Sequence, residues 1–128
     1  MSASFGHGAL LGNSYVLDGD LRVRLRLARS SDAGAIRGLL ERQGLDPEAL
    51  QARRLVQFDP RRRYVLCATA LIDSSERLVG IGSIELDPDG AAGPDTLVID
   101  DEHSPDLTEL LTSALVGRAS AVDRPRAA

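Results

Sequence analysis

Few side chains in this sequence are of types that do chemistry, and their spacing narrows the possibilities quickly. Cys67 is the only cysteine, so it forms no internal disulfide and contributes to no cysteine-based zinc site. It lies between Leu66 and Ala68 in an apolar run, where an unreactive buried thiol is expected. His103 is a candidate general base or phosphate ligand, and it is also the kind of polar residue that leads into a helix cap. His7 stands in a glycine-rich stretch with no second ligand near it in sequence, so no metal site is expected. Gly6 to Gly12 superficially resembles a phosphate loop, but no strand precedes it and no helix follows it. Arg61-Arg62-Arg63 is the most basic local cluster, a pattern usually found on a solvated face. No Ser/His/Asp order carries a nucleophile elbow.

Composition excludes further classes. All 15 basic residues are arginine, so no lysine nucleophile or Schiff base exists. The net charge of −4 offers no long-range attraction to nucleic acid, and an aromatic content of 3% leaves few rings for base stacking. No apolar run approaches the length of a membrane span, and no secretory leader stands at the start. The sequence therefore predicts a cytoplasmic protein with neither nucleic acid nor membrane as partner.

The elements that must position these residues follow from periodicity. At 128 residues the chain is one domain in size, with an aliphatic core. Residues 1–20 read as a partly ordered N-terminal arm with enough apolar content for a short docked strand. Leu21 to Ala28 alternates aliphatic residues with arginine, a strand with one apolar and one charged face. Ser30-Ser31-Asp32 supplies cap chemistry for a helix with Ile36, Leu39 and Leu40 on one side, stopped at Gly44. A second helix is expected from Glu48 to about Val56, with Asp46 as cap and Pro47 at its first position. Tyr64 to Ile72 and Leu78 to Leu86 form an antiparallel hairpin across the turn Asp73 to Glu76. Thr96 to Ile99 is a short strand. A last helix opens at Ser104-Pro105, with Leu107, Leu110, Leu111, Ala114 and Leu115 as its stripe. Gly117 reads as the end of that helix, and residues 120–128 read as a disordered tail.

The resulting order is strand-helix-helix-strand-strand-strand-helix, an α/β (α+β) domain over residues 21–119. That order, with Asp18 to Arg26, Ala28 to Ile36 and Leu78-Val79-Gly80, resembles the GNAT family of acetyl-CoA-dependent N-acetyltransferases. Val98-Ile99-Asp100-Asp101-Glu102-His103 is similar to the start of that family's cofactor segment. The resemblance covers about residues 18–119. It implies a partial GNAT-like fold, with a mostly antiparallel mixed sheet and without the family's C-terminal strands.

By the same resemblance, Val98, Ile99, His103 and Ser104 stand where acetyl-CoA would be held, and Glu85 is a candidate base. In the family an Arg/Gln-x-x-Gly-x-Gly/Ala loop presents backbone N–H groups to the pyrophosphate. Here His103 to Glu109 has no Gly, Arg or Gln; Pro105 removes a donor, and Asp106 and Glu109 add carboxylates. The expectation is a non-catalytic GNAT-like domain acting through protein–protein contacts or self-association. No cofactor is expected, and the partner is a second copy joined through a sheet edge or the N-terminal arm. The alternative is an acetyl-CoA-dependent acetyltransferase of reduced activity, or one completed by a partner chain. A small-ligand sensor is a third class, without a residue that favours it.

Overall fold

Alternation of apolar and charged residues along Leu21–Leu27 makes this strand the natural seam of a two-faced sheet. A computed structural model of the chain describes residues 14–17, 21–48, 51–86, 94–100 and 105–123, with side chains described as far as residue 118. Its strands are β1 (Ser14–Leu17), β2 (Leu21–Leu27), β3 (Arg63–Ile72), β4 (Ser75–Glu85) and β5 (Thr96–Ile99). They form one sheet in sequential order, β1-β2-β3-β4-β5, and each neighbouring pair is antiparallel. The arm predicted at the N-terminus thus supplies an edge strand, with Tyr15 paired to Val23 and Val16 to Arg22.

Helix α1 (Ala33–Arg42) follows a short 3-10 turn at Ser30–Asp32 and buries Ile36, Leu39 and Leu40. It stops where the sequence predicts. Gly44 takes φ +74°, Leu45 N–H donates to Leu40 O at 2.8 Å, and Gly44 N–H donates to Glu41 O at 3.0 Å, which is a Schellman closure. The predicted second helix is shorter than expected. Asp46 Oδ1 accepts the Glu48 N–H at 3.0 Å in a local turn, and Gln51 adopts left-handed φ 49°. Both features interrupt helical hydrogen bonding, and among the described residues of this stretch the helix is the single turn α2 (Ala52–Leu55).

The hairpin between β3 and β4 turns on two residues rather than four. Asp73 and Ser74 both have positive φ, 53° and 67°, as a tight turn between right-twisted strands requires. Further along, Ala68 pairs with Gly80 and Thr69 with Leu78, leaving Val79 as the extra residue of a β-bulge. Helix α3 (Asp106–Asp123) runs through Gly117 and past the limit predicted for the last helix. One glycine in a helix costs only about 1 kcal/mol, and Arg118 ties the extra turn down by stacking 4.7 Å from the Tyr64 ring centroid. Residues 124–128 of the expected tail lie outside the described residues.

The sheet is covered on both sides. On one, Leu107, Leu110, Leu111, Ala114 and Leu115 of α3 pack on Val23, Leu25, Leu66 and Ile84. On the other, α1 and α2 cover Val65, Cys67, Leu78 and Ile81. A Cβ at Gly82 would lie 2.8 Å from the Leu115 Cδ1, so α3 sits against the β4 backbone itself.

Candidate functional site

The described polar groups gather in three places, two of them at opposite ends of the paired strands β4 and β5. The first is the corner where β5 leaves the sheet toward α3. Asp100 N–H donates to Val79 O at 2.9 Å, which anchors the end of β5 beside the bulge. The Asp100 carboxyl is buried, and its Oδ2 lies 4.0 Å from the Arg42 Nε at the end of α1. Arg42 Nη2 also donates to Leu78 O at 2.8 Å, so one guanidinium reaches both the bulged strand and β5. Beyond the corner, the first turn of α3 carries Asp106 and Glu109, and Glu109 N–H donates to Pro105 O at 3.1 Å. These carboxylates face the positive end of the helix dipole.

Of the residues predicted for a cofactor, Val98 packs with the α1 cluster and Ile99 with the α3 cluster, on opposite faces of β5. His103 and Ser104 lie outside the described residues. Glu85 is not near this corner. Gly80 pairs with Ile99, and Glu85 lies five residues further along β4, about 16 Å away at roughly 3.3 Å per residue.

Glu85 instead lines the second place, a groove of about 410 Å3 that also includes Arg54, Phe58 and Arg62. The register sets Arg63 opposite Glu85. Arg63 lines the same groove, and its guanidinium donates to Asp95 Oδ2 at 2.7 Å and to Ser83 Oγ at 3.2 Å. Ser83 Oγ donates to Asp95 Oδ1 at 2.6 Å, so these three side chains brace the start of β5 against β4. The triple-arginine run is thereby divided. Arg61 closes a local turn on Asp59, Arg62 is solvent-facing, and Arg63 is a cross-strand brace.

A third polar cluster is structural. Arg26 makes a two-pronged pair with Asp32, at 2.7 and 2.8 Å, and Arg29 N–H donates to the same carboxylate at 2.7 Å. The Arg26 guanidinium holds the Asp32 carboxyl below the ordinary carboxylate range. Cys67 Sγ lies 3.8 Å from Asp32 Oδ2. Burial, followed by that neighbouring carboxylate, pushes the Cys67 thiol up to about 12. The thiol stays protonated and is a poor nucleophile, as the apolar run predicts.

Sequence reading passed over all these pairings, because Arg26–Asp32, Arg42–Asp100 and Arg63–Asp95 join residues from different elements. The one signal within reach was Asp32 three residues after Arg29, a spacing that suits a carboxylate reaching back to a backbone N–H. Among the described residues, no group of three or more His, Cys, Asp or Glu side chains is placed to hold a metal ion. No described helix is long and apolar enough to cross a membrane.

The crystal structure of the GNAT domain of S. lividans PAT superposes with a TM-score of 0.58. The match covers 89% of this chain and 72% of that one, at 19% identity. The fold is GNAT-like. No family model matches the sequence, and no curated protein does.

Proposed function

We propose that this GNAT-like domain is a non-catalytic interaction module that does not use acetyl-CoA, and that it self-associates. The observation carrying the first part is the charge at the start of α3. A pyrophosphate seated there would need free N–H groups and a positive field. Pro105 offers no N–H, while Asp106 and Glu109 place two carboxylates in the first turn, with the buried Asp100 close behind in the chain. Each like-charge or dipole contribution is about 0.3–1 kcal/mol, and all oppose an anion. The residues present do not fit the group that the fold family would bring.

Calorimetric titration of the chain with acetyl-CoA and with CoA tests this reading. No saturable heat is expected at ligand concentrations up to about 1 mM, equivalent to about 4 kcal/mol of binding free energy. Micromolar binding would overturn it and restore the acetyltransferase reading, with Glu85 and His103 as the first residues to replace.

Self-association is supported by β5. Among the described residues it pairs only with β4, and its segment Thr96–Ile99 contains neither charge nor proline. Such an edge lacks the usual protections against pairing with another strand. A two-fold dimer that continues the sheet through β5 satisfies it. Light scattering across micromolar concentrations is expected to give twice the chain mass, and a monomer throughout would remove this part of the proposal.

A further inference from the structure

Among the described residues, one stretch of the sheet's α1 side has no helix over it. Helices α1 and α2 cover Val65, Cys67, Leu78 and Ile81, and nothing described covers the outer part of β1, β2 and β3 on the same face. A groove of about 370 Å3 lies there, lined by Arg22, Arg24, Thr69, Leu71 and Glu76 among others. Val16, 63% exposed, and Leu71, 62% exposed, are the most exposed large hydrophobic residues described, and both lie on this stretch. Val16 is the ladder partner of Arg22, and Leu71 follows Ala70, the partner of Val23, so the two aliphatic side chains flank Arg22.

The charges here are unevenly spent. Arg26, the third arginine of the row, is held by Asp32. Glu76 accepts the Thr69 hydroxyl at 2.9 Å. Arg22 and Arg24 form no ion pair and donate no side-chain hydrogen bond among the described residues. A chain with a net charge of −4 therefore presents Arg22 between two exposed aliphatic residues and Arg24 beside it, between Ser14 and Thr69, neither with an ion-pair partner among the described residues.

We infer that this face docks an acidic amphipathic helix of a partner protein, with its aliphatic side on Val16 and Leu71 and its carboxylates on Arg22 and Arg24. The inference deepens the interaction reading and rests on it. Helix on sheet is already how α1 covers the rest of this face. A second copy stacked on the same patch would set four guanidinium groups together as water is expelled, which Coulomb repulsion opposes. Residues 1–13 contain no Asp or Glu, so that stretch offers no carboxylate to these arginines; Asp18 and Asp20 are the carboxylates that precede Arg22 in the sequence. Nucleic acid would gain nothing from Val16 and Leu71 and would meet the repulsion of the acidic chain.

The test uses the full chain, labelled with 15N, and three probes. These are a synthetic helical peptide with Leu on one side and Glu on the other, its Lys counterpart, and anionic phosphatidylglycerol vesicles. The Glu peptide is expected to shift the amides of Val16, Arg22, Arg24 and Leu71, leaving α3 unshifted, and to bind more weakly as salt rises. Combining Arg22→Glu with Arg24→Glu is expected to weaken that binding by about tenfold or more and to create binding to the Lys peptide. Both side chains are exposed, so an unchanged Tm serves as the folding control. The inference is overturned if the Glu peptide shifts none of these amides, or if the shifts fall on β5. It is equally overturned if the Lys peptide binds the unaltered chain as well, or if only the vesicles bind. Acetyl-CoA binding in the separate titration would remove the non-catalytic reading and leave this result standing.

Discussion

Asp32→Ala is expected to lower the unfolding free energy by about 3 kcal/mol, since removing one partner of a buried ion pair strands the other. The Asp32 carboxylate accepts two guanidinium N–H groups from Arg26 and the backbone N–H of Arg29, and it is 7% exposed. Its loss leaves a largely buried cation and an orphaned amide at the entry to α1, and urea denaturation measures the difference. Asp32→Asn retains an oxygen for the Arg29 N–H and loses the charge, so its cost is expected to fall between that of alanine and the unaltered chain.

The same pair sets an acid dependence. Asp32 titrates below its ordinary value in the folded chain, because Arg26 favours the carboxylate. As pH falls below about 4, the carboxyl of the unfolded chain takes up its proton first. The stabilisation is therefore fully present above that pH and is lost as pH falls through the depressed folded value. Asp32→Asn is expected to flatten this part of the acid limb. Equal losses for both proteins between neutral pH and the acid limb would show that Arg26 does not hold the carboxylate.

Leu115→Ala is expected to cost about 3 kcal/mol, the usual range for a fully buried leucine, because Leu115 is completely enclosed between α3 and the sheet. Gly82→Ala is expected to cost about 1–2 kcal/mol through overpacking. Its new methyl would stand 2.8 Å from the Leu115 Cδ1, 3.1 Å from the Leu97 Cδ1 and 3.4 Å from the Thr96 backbone oxygen. Those leucine ends are flexible, but Leu115 is fully buried within the cluster between α3 and the sheet. Together the two substitutions are expected to cost less than their sum by about 1 kcal/mol, because the added methyl occupies part of the vacated volume. Strict additivity in denaturant unfolding would show that the helix is not pressed onto β4 at this glycine.

Much of the fold was legible in local patterns. The Leu-Arg alternation of β2, the Gly44 stop of α1 and the leucine stripe of α3 each depend on residues a few positions apart. The misreadings are also local in origin. Asp46-Pro47 has the chemistry of a helix start and of a turn, and the structure uses it for a turn. Gly117 resembles a stop, but the contact between Arg118 and Tyr64 carries α3 past it. For the candidate site, the sequence placed the carboxylates of the α3 first turn, while only the register of β4 on β5 showed Glu85 to be far from them.

The sequence by itself determined the order of elements, the two-faced character of β2 and the acidic start of α3, because each is written in neighbouring residues. Tertiary structure alone decided which of the β2 arginines has an ion-pair partner among the described residues. Arg22, Arg24 and Arg26 are equivalent in the alternation, yet only Arg26 lies beneath the turn that brings Asp32 within 2.7 Å. Likewise, only the positions of α1 and α2 decide that Cys67 is sealed while Leu71, on the same face of the same strand, is left in water. An ion pair or a covered face depends on distance in space, and periodicity along a strand carries no information about what will be packed over it.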